Sequence, residues 1–308
     1  MRLDDYIDPD VAYFVGLIVA RGTLTDNGSI RQISINFPYQ SLNVRGKTIE
    51  RDQRTSIELG LNKIRERVLD LVETDISCIE NNKSYDLVVR FNRRNMIWRN
   101  IELILSGAID YHNFCVPEVF FDPALPRDCK AQFIRGYGDV AGNIRKSNVY
   151  VDGRYRVRLD VLNSKTNWRL PIQLCQLLQD HLDVPVQNIT WGHPNMGRDF
   201  REHQINIFAD AYKRIGFSFA HKQEILNDLS LINERDNARP NPCVGFTRLR
   251  EKKPKDVLEK DSKHLDRAIM GKHFDQYWQI CKALGCERAK RAKKHFEGES
   301  RKVETKEE

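Results

Sequence analysis

The chain has 308 residues and a mass of 36.0 kDa, with 40% hydrophobic and 30% charged residues and a mean hydropathy of −0.58. That length rules out one small core and suits one large domain or two packed halves, and no apolar run reaches the roughly 20 residues of a membrane span. Of the net +7, residues 248–308 supply +6 from 18 basic and 12 acidic side chains; any nucleic-acid affinity of the main body must therefore rest on where individual arginines point.

Seven cysteines, an odd number without CxxC spacing, read as reduced thiols packed as small hydrophobes. The N-terminus places Asp4 and Asp5 where a signal peptide would carry a basic patch and an apolar stretch. Both features point to a cytoplasmic protein without a membrane association.

In chain order, the first apolar helix is expected around AYFVGLIVARG, residues 12–22, followed by a polar turn (Thr25, Asp26, Asn27, Gly28) and a strand over residues 29–37. Helical spacing over residues 56–69, a strand over 85–91 and a helix over 96–105 follow. Residues 116–126, with three prolines, read as a linker. The pattern then recurs: AQFIRGYGDVAG at residues 131–142, a strand over 155–162, a helix over 170–182, a strand over 203–208 and a helix over 209–215. Gly16 and Gly136 lie 120 residues apart, the mark of an internal duplication. Beyond Asn237, prolines and lysines mark a second boundary. A short helix over 271–284, a basic run over 288–294 and a disordered end are expected there.

FVGLIVARG at residues 14–22 and IRGYGDVAG at residues 134–142 resemble the two motifs of single-chain LAGLIDADG homing endonucleases. Val116-Pro117-Glu118 and residues 215–222 add to the likeness. The resemblance implies an α/β (α+β) fold with two pseudo-symmetric αββαββα halves, residues 1–115 and 116–237. Their curved antiparallel sheets would form a saddle on double-stranded DNA, with residues 238–308 as a basic extension. It implies a monomer, because both copies lie on one chain. Gly16, Ala20, Gly136 and Gly138 are small enough to let the two motif helices cross closely as a seam.

In that family each motif helix ends in an acid, and the two acids hold divalent metal ions against DNA. Here those positions are Arg21 and Ala141. A hard cation such as Mg²⁺ needs oxygen ligands, and an arginine there repels it. Two readings follow. Either hydrolysis was lost and Arg21 contacts phosphate, or the acid was displaced and Asp139, with Asp160, holds Mg²⁺ off-centre for cleavage.

Alternation on the second-half strand puts Arg154, Arg156, Arg158 and Asp160 on one face, able to read guanine and cytosine edges in the major groove. Arg145 lies on the preceding segment. In the first half, Gln32, Ser34 and Asn36 form a less charged row suited to adenine edges. A surface of arginines also suits RNA helices, which gives a third reading as a maturase-like RNA binder. His193 reads as a structural loop residue, and Cys243, His264, His273, Cys281, Cys286 and His295 lack the spacing of a zinc finger or ribbon.

Overall fold

A computed structural model describes residues 6–28, 30–44, 53–149, 154–162, 169–190 and 202–235. The first motif forms helix α1 (Pro9–Arg21). Asp8 starts it: its Oδ1 accepts from the backbone amides of Asp10 and Val11 at 2.8 and 2.7 Å, and Pro9 occupies the first turn, where no amide is needed. The helix passes directly into β1 (Gly22–Asp26), so the strand begins before the expected polar turn. That turn is tighter, with Gly28 at φ +81° and its amide held by Asp26 Oδ1 at 2.9 Å. Then come β2 (Arg31–Pro38), α2 (Tyr39–Leu42), α3 (Gln53–Val72), β3 (Ile76–Asn81), β4 (Ser84–Phe91) and α4 (Met96–Ile104).

The linker is a packed segment rather than a loose tether. It contains a 3-10 turn over Glu118–Phe121, and Val116, Phe120 and Leu125 are buried. The second half repeats the first with α5 (Arg127–Ala141), β5 (Gly142–Val149), β6 (Tyr155–Leu162), α6 (Arg169–Gln176), β7 (Val186–Thr190), β8 (Glu202–Phe208), α7 (Ala209–Tyr212) and α8 (Ala220–Arg235). The expected helix over 170–182 divides into α6 and a π turn, Leu177–His181. The last expected helix is a single turn followed by the 16-residue α8, whose buried face includes Lys222, Ser230 and Asn233 and so lacks an apolar period.

Each half forms a four-stranded antiparallel sheet, in the orders β1-β2-β4-β3 and β5-β6-β8-β7. Ile33, Ile35 and Phe37 on β2 oppose Val89, Leu87 and Tyr85 on β4, all facing the helices. Val157, Leu159 and Val161 do the same on β6. The fold is thus α+β, and the other faces of β2 and β6 carry their polar rows.

The halves meet where α1 crosses α5. Every residue of α1 from Ala12 to Ala20 is buried, so the helix is apolar all round. A Cβ on Gly16 would strike the carbonyl oxygen of Phe133 and lie 3.0 Å from the Tyr137 amide nitrogen. A Cβ on Gly136 would strike the Tyr13 carbonyl oxygen and lie 3.1 Å from the Leu17 nitrogen. These contacts are reciprocal, as a pseudo-twofold axis requires. Ala20 is buried near the end of α1. Gly138 does not belong to the seam: its missing Cβ makes room for the Tyr212 hydroxyl and Phe217 of its own half.

A second contact locks the halves. Phe219 fills the space above Gly60 on α3 and meets Phe37 edge-on, with ring centroids 6.4 Å apart. His221 Nε2 lies 2.9 Å from the Leu42 carbonyl oxygen, and its Nδ1 lies 3.1 Å from Ser56 Oγ. A carbonyl only accepts, so Nε2 carries the proton and Nδ1 accepts from the serine.

Because the obstacle at Gly16 and Gly136 is backbone, a side chain there cannot be accommodated by a rotamer change. Gly16→Leu or Gly136→Leu is expected to lower stability by at least about 1–3 kcal/mol, read as a fall in the thermal midpoint. An unchanged midpoint would remove the close crossing from this account.

Candidate nucleic-acid interface

The motif helices deliver their C-terminal ends between the two sheets, because Gly22 and Gly142 each turn the chain straight into the first strand of a half. A helix C-terminus carries a partial negative charge. Arg21 in the last turn of α1 complements it; burial raises the Tyr137 phenol of α5, the Arg21 charge opposes that rise and the Asp160 carboxylate adds to it. The other motif end offers only Ala141, which is buried.

Asp139 is fully buried and both of its oxygens are engaged. Its Oδ2 accepts from the Tyr13 hydroxyl of α1 at 2.6 Å, across the seam, and its Oδ1 accepts from the Ser218 amide at 2.9 Å. Burial raises its pKa, against the opposing charge of Lys222. Burial also lowers Lys222 from 10.5 to about 8, although Asp139 and Asp160 favour its charged form. Its ammonium donates to the Asp139 carbonyl oxygen at 3.3 Å and lies 4.8 Å from the centre of the Phe217 ring. Asp139 is therefore a structural carboxyl joining the halves, and the expected metal role does not fit its geometry. The motif ends supply an arginine and an alanine, and no group of three or more His, Cys, Asp or Glu among the described residues could hold a metal ion. The residues present do not fit a Mg²⁺ pair.

Asp160 lies on β6, 5% exposed, with its backbone oxygen accepting from the Tyr137 hydroxyl at 3.1 Å. The same outward row of the second sheet carries Arg156 and Arg158, both half-buried. Register places Asn143 and Asn206 on either side of Arg158, and Gln204 beside Asp160. Asn206 is fully buried and Asn143 is 6% exposed, so the half-buried arginines of this row stand on packed amides.

Arg154 stands at the end of the expected row and is already engaged there. It precedes β6, its guanidinium carbon lies 3.5 Å from the centre of the Phe208 ring, and its Nη2 is 3.3 Å from Asp210 Oδ2. Register sets Phe208 opposite Arg156 on the outward face, so Arg154, at 10% side-chain exposure, shares that face and is held against the ring and the carboxylate. Arg145 lies on β5, within an irregular stretch between Ile144 and Val149, and its side chain is outside the described residues. Also outside them are His193, the helix over 271–284, the basic run over 288–294, the C-terminal end and the Cys/His group from 243 to 295.

In the first sheet, Gln32, Ser34 and Asn36 share the outward face as expected, all half-buried. Gln32 Nε2 donates to Ser34 Oγ at 2.8 Å. Asn36 Nδ2 donates both to Ser84 Oγ at 2.8 Å and to Asp86 Oδ1 at 2.6 Å, so within this row its amide donors are already engaged. Sequence reasoning passed over Asp86 and Arg90, although the alternation of Asp86, Val88 and Arg90 with Leu87, Val89 and Phe91 marks them.

Two copies of one unit are joined through the glycine of a repeated motif, with both motif ends set between polar sheet faces. The fold is of the LAGLIDADG type. No protein-family profile matches the chain, and no curated protein matches it. Among solved structures it is similar to the homing endonuclease I-DmoI in complex with its target DNA and manganese, at 18% identity over 69% of this chain and 92% of that one, with a TM-score of 0.39. It is also similar to full-length WhiA (DUF199) from Thermatoga maritima, at 14% identity over 91% and 81% of the two chains, with a TM-score of 0.42. For the N-terminal LAGLIDADG domain of WhiA, the identity is 14%, the coverage 67% and 77%, and the TM-score 0.34. At the ends of the motif helices of this chain stand Arg21 and Ala141, with Asp139 held by Tyr13 from α1 and approached by Lys222 from α8.

Asp139→Ala is expected to cost about 3–5 kcal/mol in denaturant unfolding, since it leaves the Lys222 charge, the Tyr13 hydroxyl and the Ser218 amide without their partner. Lys222 also predicts a pH dependence. Between about 8 and 10.5 the unfolded chain keeps the lysine proton while the folded chain releases it. Stability contributed here is therefore lost as pH falls through that window and regained as pH rises, by up to about 1.4 kcal/mol per pH unit for one proton. Lys222→Met is expected to flatten that slope; an unchanged slope would refute the assignment.

Proposed function

We propose that the chain is a sequence-specific binder of double-stranded DNA that acts as a monomer and does not cleave by the two-metal route. The observation that carries the reading is the pair of polar sheet faces flanking the seam, with Arg156 and Arg158 in the outward row of β6 and amide and hydroxyl groups in the outward row of β2. The major groove of B-DNA admits a two-stranded ribbon, and arginine is matched to the O6 and N7 acceptors of guanine. One chain supplies both faces, so a single molecule covers two unlike half-sites. The unequal charge of the faces makes those half-sites differ in base composition, richer in G·C under β6.

Loss of cleavage follows from the same residues. Hydrolysis by a metal pair needs carboxylate oxygens at the phosphate, and the motif ends offer a guanidinium and a methyl group. Arg21 instead supplies positive charge at the centre of the duplex, as a phosphate contact.

The test begins with selection of a duplex from a randomised library by the full chain. On that duplex Arg156→Ala and Arg158→Ala are each expected to weaken binding by about 1–3 kcal/mol and to relax preference at one or two adjacent base pairs. Equal weakening on every sequence would reduce both residues to phosphate contacts. Enrichment of RNA over duplex DNA in a parallel selection would favour the maturase-like reading.

A further inference from the structure

The two sheets carry a matched pair of side chains at equivalent places, with the strands exchanged. Gly22, which ends α1, pairs with Ile35, and the next residue is Asn36; Gly142, which ends α5, pairs with Leu159, and the next residue is Asp160. On the neighbouring strand Asp86 stands opposite Asn36, and Gln204 stands opposite Asp160. Each half therefore sets one carboxyl beside one carboxamide on its outward face, one residue beyond the strand position fixed by the motif helix.

In the first half this pair is held rigidly. Asp86 Oδ1 accepts from Asn36 Nδ2 at 2.6 Å, and Oδ2 accepts from Asn81 Nδ2 at 2.5 Å. Asn36 is itself fixed by Ser84 Oγ at 2.8 Å. Each carboxylate oxygen has two lone pairs and one is used, so an acceptor direction remains on both. No lysine or arginine among the described residues forms an ion pair with Asp86. A carboxylate on a face that meets DNA is repelled by the phosphates unless a base donor meets it.

The major groove offers two such donors, the exocyclic amines of cytosine and adenine. Adenine presents its N7 acceptor beside the amine, which would face the second carboxylate oxygen; cytosine presents its amine without an adjoining acceptor. We propose that Asp86 is a specificity residue that selects cytosine in the half-site under the first sheet. This deepens, and rests on, the duplex-binding reading. Asp160 occupies the matching place in the second half.

The test is a cycle between protein and DNA on the duplex selected by the full chain. Each cytosine of the selected half-site is changed in turn from C·G to T·A, which replaces the amine donor by a carbonyl acceptor, and affinity is measured for the wild type and for Asp86→Asn. One position is expected at which the wild type loses roughly 5- to 150-fold, while Asp86→Asn binds the two duplexes to within about twofold. The ratio of two duplexes on one protein sample cancels any loss of folded molecules. The same ratios for both proteins at every cytosine, or a selected half-site without cytosine, would overturn the assignment and leave duplex binding standing. A wild type that enriches no duplex would overturn both.

Discussion

The rest of the structure depends on two backbone contacts without an intervening Cβ, Gly16 against the Phe133 carbonyl and Gly136 against the Tyr13 carbonyl. Helices with side chains at their crossing sit 8–10 Å apart; glycine at both positions lets peptide groups meet directly, and this sets how near the two sheets stand. The Tyr13–Asp139 hydrogen bond then fixes rotation about the crossing, because its donor and acceptor belong to different halves. Phe219 and His221 add a second anchor far along the chain from the first, so the orientation of the halves is determined twice. The two sheets are thereby held at a fixed separation, which is what the proposed contact with a rigid duplex requires.

The same seam explains the charges beneath it. Asp139 and Lys222 are both withdrawn from water, and each is shifted toward its neutral form by that burial while the other opposes the shift. Such a pair contributes little net stability, yet removal of either member leaves a buried charge alone. Its value lies in position: it ties α8 to α5 and to the tyrosine of α1. Of the two motif ends, one carries the Arg21 guanidinium and the other the Ala141 methyl, so neither brings a carboxylate.

Much of the fold was legible in the sequence because its signals are local or repeated. The duplication of Gly16 and Gly136, the alternation of residues 155–162 and the apolar run of α1 each need only periodicity and spacing. β3 was missed because it is an edge strand whose last four residues are exposed, so no alternation appears. α8 was missed because its inner face carries Lys222, Ser230 and Asn233, polar residues whose partners lie in other elements. The site was harder to read for the same reason. Asp139 looked like a displaced metal ligand until Tyr13, 126 residues away, took one of its oxygens. Arg154 looked available for bases until Asp210 and Phe208 engaged it on the outward face. Gly138 looked like a seam residue, but its open side faces Tyr212. Spacing says which face a residue shares, and only the folded chain says what already occupies that face.

The claim that joins these parts is that a LAGLIDADG-type seam here supports recognition of DNA without two-metal hydrolysis. It is tested most directly by incubating the wild-type chain with its selected duplex, end-labelled on each strand, in Mg²⁺ and in Mn²⁺, and resolving bound and denatured products in parallel. The account predicts a bound complex in which both strands stay intact under either metal. A metal-dependent break at a fixed position in either strand would contradict it.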